Sequence, residues 1–196
     1  MLTLRPMSED ELPSVADWLQ QVHVARWWTS TITAEEVLAL YQLRVNGLDP
    51  RTNMLMCSDG GEDFGWCQWY LWVDYEGEAL ARDAREGEIG IDYAIGLPSN
   101  TGRGLGTRLV ATLVEHVKRI HPRAGILADP EEANEPSRRV LEKNGFSLIE
   151  ARRTVTEVVS PRRALYRLSP ASLPNSDEPS RSPRMAQPRV ARTSAP

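Results

Sequence analysis

The stretch Thr101-Gly102-Arg103-Gly104-Leu105-Gly106-Thr107 joins residues 88–95, which read as a strand, to residues 105–120, which read as a helix. Its three glycines within five positions leave backbone N–H groups open to a ligand, because glycine has no Cβ. The first N–H groups of a helix lack intrahelical acceptors and carry partial positive charge, which favours an anion. The stretch therefore predicts a phosphate-binding loop, with a plain tight turn as the alternative.

The spacing of these glycines fits neither of the two common nucleotide-binding patterns. A dinucleotide-binding loop requires Gly-x-Gly-x-x-Gly, whereas the glycines here occupy positions 102, 104 and 106. A P-loop requires Lys and then Ser or Thr after its last glycine, whereas Thr107 and Arg108 follow here. The sequence therefore does not indicate an enzyme of either nucleotide-binding class.

Two carboxylates flank the glycine-rich stretch in the sequence. Apolar side chains alternate along residues 89–95, so that Asp92 projects from the opposite side of this strand, between the small residues Gly90 and Ala94. This arrangement predicts space for a ligand beside the carboxylate. Asp129 follows a short apolar strand and precedes Pro130. Both also have an ordinary explanation, as carboxylates satisfied by neighbouring N–H groups at a strand end or in a turn.

An unusual pair of aromatic residues lies near the N-terminus. Trp27 and Trp28 follow His23 and Arg26 in a segment that we predict to be a loop. A tryptophan pair beside two polar side chains is a large aromatic surface to leave unassigned. Two interpretations fit it equally: the pair faces a ligand, or it packs as a lid on the first helix.

A predicted hairpin, residues 53–58 and 64–73 around the turn 59–61, carries a mixed face. Trp66, Gln68 and Tyr70 share this face. Polar groups among aromatic ones are typical of a cleft for a polar substrate, although an edge strand half in water shows the same pattern. Residues 74–88 hold six acidic side chains and read as a solvated, mobile flap. Such a flap beside a cleft would concentrate a polycation.

The charge of the chain is uneven. The whole sequence has 23 basic and 27 acidic side chains, a net charge of −4. Residues 169–196 carry four Arg against two acidic side chains, which leaves 19 basic and 25 acidic side chains, or −6, in residues 1–168. An acidic body argues against nucleic acid and points to a small cationic partner, while solubility alone accounts for it equally well.

Length and composition predict one domain and a tail. The 196 residues fit one domain over residues 1–168, and the Pro-, Ser- and Arg-rich residues 169–196 read as a disordered tail. No apolar run approaches the roughly 20 residues of a membrane span, and the N-terminus has no apolar signal segment, so we expect a cytoplasmic protein with no membrane partner. Cys57 and Cys67 are then expected as buried, reduced thiols in neighbouring strands.

Several short motifs together resemble one enzyme superfamily. Gly104 and Gly106 fill the last two fixed places of the pattern Gln/Arg-x-x-Gly-x-Gly/Ala, with Thr101 in the first place. This pattern is the acyl-CoA loop of the GCN5-related N-acetyltransferases (GNAT), whose order of strands and helices the predicted elements also follow. From about residue 14 to residue 147 the chain resembles the aminoglycoside 6'-N-acetyltransferases. The motifs that carry this resemblance are Trp18-Leu19, His23-Val24-x-x-Trp27-Trp28, Gly90-Ile91-Asp92, Asp129-Pro130 with Asn134, and Glu142-Lys143-x-Gly145-Phe146.

The resemblance implies a fold, a co-substrate and a set of site residues. The fold is α+β, with a mixed, mostly antiparallel central sheet flanked by about four helices. Asp92 matches the carboxylate that serves as general base or positions the acceptor amine, and Asp129 matches a second contact to the aminoglycoside. Further acceptor contacts are expected at Trp27, Trp28, Tyr41 and Gln68. Acetyl-CoA is the donor, no metal is expected, and the residues predicted to hold the donor are Tyr93, Ala94, Ile95, Thr101, Gly102, Arg103, Gly104, Leu105, Gly106, Thr107 and Asn134.

One departure from the superfamily concerns the leaving thiolate. Many members place a Tyr where this chain has Leu141, so Tyr-based acid catalysis is excluded at this position and water remains as the proton source. Our main hypothesis is acetyl-CoA-dependent acetylation of an aminoglycoside amine, with antibiotic resistance as its effect. Two hypotheses stay open beside it: a siderophore-type hydroxylysine or lysine N-acyltransferase, and a non-catalytic protein that binds acyl-CoA or aminoglycoside. Both a monomer and a homodimer are compatible with the sequence.

Overall fold

A seven-stranded mixed sheet organises the protein, which we describe from a computed structural model of residues 1–28, 33–149 and 162–170. The strand order is β1-β2-β3-β4-β5-β7-β6, and every neighbouring pair is antiparallel except β4 with β5. The strands are β1 (Leu2–Pro6), β2 (Thr52–Asp59), β3 (Glu62–Leu71), β4 (Ile89–Ile95), β5 (Ile126–Ala128), β6 (Ser147–Leu148) and β7 (Tyr166–Leu168). The predicted α+β architecture is confirmed.

Six α-helices lie in the described part of the chain, where we predicted about four. They are α1 (Leu12–Leu19), α2 (Val22–Trp28), α3 (Ala34–Val45), α4 (Glu76–Ala81), α5 (Leu105–Ile120) and α6 (Glu135–Lys143). The two extra helices correct two predictions, because α2 replaces the predicted loop and α4 lies within the predicted flap. They span only seven and six residues, about two turns each, which is too short for an apolar periodicity to appear in the sequence.

The hairpin of β2 and β3 fixes the register of the central strands. Gly60 and Gly61 both have positive φ, 64° and 92°, as a two-residue hairpin turn of type I′ requires. The turn therefore forms where the sequence predicts it. Through this register, Gln68 on β3 lies opposite Asp92 on β4.

The sheet opens between β4 and β5. The two strands are parallel, joined through α5, and their pairing covers only Ile89 with Ile126 and Gly90 with Leu127. From Ile91 onward, β4 is paired with β3 alone among the described strands. The gap therefore begins one residue before Asp92.

Two large apolar clusters lie on the two faces of the sheet. The first packs the buried stripe of α5, formed by Leu109, Leu113 and Val117, against the sheet. The second packs α1 and α3 around Trp66. Within the first cluster Cys57 and Cys67 are free, fully buried thiols whose Sγ atoms are 3.6 Å apart, as the sequence predicts.

The last predicted strands are described only in part. The sequence also predicts two closing strands, residues 146–158 and 164–168, around a turn at Ser160-Pro161; the first is described as far as Ile149, and the turn lies outside the described residues. Apart from Ser169 and Pro170, the predicted tail also lies outside them. Within the described ranges, no helix combines the length and apolar character that a membrane crossing requires.

Candidate active site

Asp92 lies at the centre of the site and is held by a neutral amide. The Nε2 of Gln68 donates a hydrogen bond of 2.7 Å to Asp92 Oδ2, across the β3–β4 register described above. The Oε1 of Gln68 accepts a bond of 2.9 Å from Arg44 Nη1 on α3. Because its amide oxygen accepts from Arg44, Gln68 must present its amino group to the carboxylate. This series of hydrogen bonds, from Arg44 through Gln68 to Asp92, thus orients the carboxylate.

The protonation of Asp92 is shifted toward the neutral form. Burial raises the pKa of Asp92 above its ordinary value, and the negative charge of Asp129 raises it further. The hydrogen bond from Gln68 and the charges of Arg163 and Arg44 oppose this rise. A carboxylate with a raised pKa is a better proton acceptor than an ordinary one, as a general base requires.

Asp129, at the end of β5, is held by charged partners instead. The Nε of Arg82, which follows α4, lies 2.6 Å from Asp129 Oδ2. The Nη1 of Arg163 donates to the main-chain oxygen of Asp129 at 3.0 Å and lies 3.8 Å from Oδ2. The side chains of Asp129 and Arg82 are only 8% and 19% exposed, so this ion pair is largely removed from water, whereas Arg163 is 44% exposed.

Two adjoining cavities meet at these carboxylates. The α6 cavity has a volume of about 260 Å³ and the α3 cavity about 300 Å³. Trp28, Asp92, Asp129 and Arg163 line both. The α6 cavity is further lined by Trp27, Ile91, Tyr93, Ala128, Pro130, Glu131, Asn134 and Ser137. The α3 cavity is further lined by Val37, Leu40, Tyr41, Arg44, Thr52, Gln68, Tyr70, Tyr75, Glu78 and Arg82.

The predicted acceptor contacts converge on these cavities. Asp129, Trp27, Trp28, Tyr41 and Gln68 each line at least one of them. The ring contacts of Trp28 are with β3 and α3 instead of the first helix, and its orientation toward a ligand stays a prediction. Trp28 packs against Trp66 and Tyr41, with ring centroids 5.3 and 6.4 Å away, and also lines both cavities.

The space predicted beside Asp92 at Gly90 is filled by the protein itself. A Cβ on Gly90 would lie 2.3 Å from Cε2 of Tyr70, so the absent side chain makes room for this ring. The sequence shows that position 90 has no Cβ, but it does not show which side chain fills the space. The open space of the α6 cavity described above lies farther along β4, at residues 91–93, where β5 has diverged.

The glycine-rich loop has the backbone form of an anion site. Gly102 and Gly104 adopt φ values of 71° and 79°, and a Cβ at either would meet nothing within 4 Å. The first bond of α5 runs from Arg108 N–H to Gly104 C=O, so the N–H groups of residues 105–107 have no intrahelical acceptor. This open helix N-terminus fits the pyrophosphate of acetyl-CoA, which residues 103–107 are predicted to hold.

Other members of the predicted donor set take different places. Gly106 allows close packing, because a Cβ there would lie 3.3 Å from Val140 Cγ2 on α6. Leu105 is buried in the core, so only its backbone faces outward. Thr101 Oγ1 donates to the Pro98 carbonyl at 2.7 Å.

Only some of the remaining residues that are predicted to hold acetyl-CoA line the α6 cavity. Tyr93 and Asn134 line it, whereas Ala94 and Ile95 line neither cavity. The Oδ1 of Asn134 caps α6 by accepting from the Ser137 N–H at 3.2 Å. The hydroxyl of Tyr93 lies 2.7 Å from Ser137 Oγ, so a hydroxyl pair borders the cavity. Leu141, one turn farther along α6, is fully buried and is a core residue.

Sequence reasoning missed the cationic part of the site. Arg44, Arg82 and Arg163 line the α3 cavity, where only acidic and aromatic groups were expected. Arg44 had a usable signal, because it lies one helical turn after Tyr41 on α3. The contact of Arg82 depends on how α4 packs, and it has no local sequence signal. No group of three or more metal-ligating side chains occurs in the described ranges.

Comparisons with known proteins give the family of the chain. A family model described as "Acetyltransferase (GNAT) domain" matches residues 8–154. The chain is 31% identical over 166 residues to "Aminoglycoside N(6')-acetyltransferase type 1" of Klebsiella pneumoniae, covering 82% of this chain and 79% of the relative. A protein of the same name from Serratia marcescens matches equally well.

Solved structures of related enzymes share the fold. The aminoglycoside acetyltransferase AAC(6')-Ib in complex with coenzyme A superposes with a TM-score of 0.69 at 29% identity, covering 85% of this chain and 93% of that one. Its complex with ribostamycin and coenzyme A gives a TM-score of 0.71 at 28% identity, with 87% and 93% covered. With the family model spanning most of the described core, we conclude that the chain belongs to the GNAT acetyltransferase family.

Proposed function

We propose that this chain is an acetyl-CoA-dependent N-acetyltransferase that acts on an amine of an aminoglycoside, the 6'-amino group above others, and so confers antibiotic resistance. The observation that carries the proposal is Asp92, a carboxylate with a raised pKa, oriented by Gln68 at the meeting point of two cavities. The names of the relatives support an aminoglycoside as acceptor and coenzyme A as the donor's carrier.

The chain offers separate places for donor and acceptor. The gap between β4 and β5, the α6 cavity and the open N-terminus of α5 fit the donor. The α3 cavity, with its aromatic walls and two carboxylates, fits an amine-bearing acceptor. Because Asp92 borders both cavities, an amine beside it would face the donor.

The residues of the site would act on the acceptor as follows. Acetyl-CoA, when bound, supplies the acetyl thioester. Asp92 accepts a proton from the acceptor nitrogen, and Gln68 keeps the carboxylate aimed by donating from Nε2. Asp129 would bind a second ammonium group, and Trp28 would exclude water from both cavities. Because Leu141 offers no hydroxyl, a proton for the departing thiolate would come from water.

A cytoplasmic location fits the state of the thiols. Cys57 and Cys67 are free although their Sγ atoms are 3.6 Å apart. In the cytoplasm, a reducing compartment, two buried thiols at this distance would stay reduced.

A second acceptor class is favoured by one observation. Three guanidinium groups line the α3 cavity, and guanidinium groups pair readily with carboxylates. A hydroxylysine-type acceptor carries both an amine and a carboxylate. It therefore remains the second candidate.

An acetylation assay with two acceptors tests the proposal. Purified protein and acetyl-CoA would be incubated with kanamycin and, separately, with N-hydroxylysine, while CoA release is followed and the products are identified by mass spectrometry. We expect release with kanamycin and a product acetylated at the 6'-amine. Release only with N-hydroxylysine would transfer the assignment to the second candidate. Tight kanamycin binding without acetylated product would instead indicate a non-catalytic binding protein.

A further inference from the structure

Arg82 is a cationic side chain that lies at the carboxylate to which a cationic acceptor is expected to bind. Its Nε lies 2.6 Å from Asp129 Oδ2, and its Nη1 donates to the Glu78 carbonyl at 3.2 Å. Its guanidinium carbon lies 5.2 Å from the ring centroid of Trp72. Because the side chain is only 19% exposed and held from three directions, Arg82 is a built part of the cavity wall.

Asp129 is therefore already neutralised before an acceptor arrives. Arg163 approaches the same Oδ2 to 3.8 Å from the other side. An ammonium group that reaches Asp129 must displace one of these guanidinium groups or share the carboxylate with it. Either route costs part of a charge-assisted hydrogen bond in a largely buried setting.

Asp92 is held differently, and the contrast separates the two carboxylates. Its hydrogen bond comes from the uncharged Gln68 amide, so its negative charge is less compensated. Around the α3 cavity the charged side chains balance, with Arg44, Arg82 and Arg163 against Glu78, Asp92 and Asp129. A balanced cavity attracts a polycation less than an acidic one does.

We propose that Arg82 is a specificity-determining residue, an internal cation that competes with the acceptor's second ammonium group for Asp129. An acceptor with one ammonium group at Asp92 then binds without displacing Arg82. A polycationic acceptor loses part of its affinity to this competition. This inference rests on the proposed function, because it concerns the acceptor half of the same site.

Direct binding of kanamycin to Arg82 variants tests the inference. Calorimetry would compare wild type with Arg82→Gln, which removes the charge, and Arg82→Lys, which keeps it. Arg85→Gln is the matched control, because Arg85 is exposed, lies three residues away and lines neither cavity. The affinity of each variant for coenzyme A would show that the fold is intact.

We expect Arg82→Gln to bind kanamycin about tenfold more tightly, a gain of roughly 1.4 kcal/mol. Arg82→Lys and Arg85→Gln should stay close to wild type. In turnover, Arg82→Gln should lower KM while kcat is unchanged. Unchanged or weaker kanamycin binding by Arg82→Gln, with coenzyme A affinity intact, overturns the inference.

The binding assay also keeps this inference apart from the proposed function. A gain in binding by Arg82→Gln supports the inference even when no variant acetylates kanamycin, which would count against the proposed function alone. Acetylation of kanamycin by wild type, without tighter kanamycin binding by Arg82→Gln, would support the proposed function and show that Arg82 does not determine acceptor specificity.

Discussion

Asp92 and Asp129 are the same residue type in the same site, yet their surroundings give them opposite energetic roles. Burial and the charge of Asp129 raise the pKa of Asp92, so its ionised form is destabilised in the folded chain. Asp129 sits between Arg82 and Arg163, and its charge compensates theirs. One carboxylate thus costs stability at neutral pH, whereas the charge of the other is compensated by the two guanidinium groups beside it.

Asparagine substitutions should separate these two roles. In the unfolded chain Asp92 has its ordinary pKa, so at pH 7 the raised folded-state pKa lowers stability, and this loss vanishes as the pH falls through the folded and then the unfolded pKa. Asp92→Asn should therefore raise Tm at pH 7, with a gain that shrinks in acid, while kcat falls about 10²- to 10⁴-fold.

Asp129→Asn is the matched comparison. It removes the nearer of two carboxylates from the largely buried Arg82, whose other charged partner is Glu78 at 3.4 Å, so we expect a loss of about 2 kcal/mol in the free energy of unfolding. Thermal and urea unfolding of both variants would check these signs. A lower Tm for Asp92→Asn, or wild-type turnover in it, would contradict the role given to Asp92.

Gln68 should set the pH range of activity. Gln68→Glu replaces the donor to Asp92 with a second carboxylate, which raises the pKa of Asp92 further. The acid limb of the kcat/KM profile should then move to higher pH, since the base must be deprotonated to act. A profile that keeps its acid limb, measured with protein that binds coenzyme A normally, would show that Asp92 does not control it.

At the scale of elements, the glycine-rich loop combines a backbone requirement with a predicted role in ligand binding. Gly104 begins α5 with a φ of 79°, and its position is open to solvent. Gly47 after α3 has a similar φ of 72° and is equally open, but it is not in the loop. Gly104 and Gly47 therefore have the same backbone strain, but only Gly104 lies in the loop that is predicted to bind a ligand.

Alanine at both positions tests the loop. Gly104→Ala and Gly47→Ala should each lose about 1 kcal/mol of stability, because L-residues adopt a left-handed backbone at that cost. Only Gly104→Ala should also weaken coenzyme A binding, as measured by calorimetry. Equal affinity of the two variants for coenzyme A would show that the loop is not part of the donor site.

The elements also show what a sequence can and cannot predict. The strand with Asp92, the two-glycine turn and α5 were predictable, because each follows from local periodicity or a φ requirement. The short helices α2 and α4 were not, since their few residues take helical form through packing. Arg82 follows from the placement of α4, so the cationic side of the site was hidden with it.

At the scale of the whole molecule, the domain boundary remains a prediction. The GNAT family model ends at residue 154, and β7 (Tyr166–Leu168) still pairs with β5 and β6. A chain truncated after Pro170 keeps every described strand. We expect it to retain the Tm and kcat/KM of the full chain, whereas truncation after residue 161 should unfold it by removing β7. Loss of activity in the chain truncated after Pro170 would show that the tail has a role in the enzyme.

The two-residue pairing of β4 with β5 has a thermodynamic consequence. Within the described part of the sheet, only Ile89–Ile126 and Gly90–Leu127 tie the first four strands to the last three. A donor seated in the gap would touch both halves and act as a non-covalent cross-link. Ligand bound only by the folded chain stabilises it by RT ln(1 + [L]/Kd), about 2.7 kcal/mol at a hundredfold excess over Kd. The supply of acetyl-CoA in the cell would then set how long the enzyme survives as well as how fast it works.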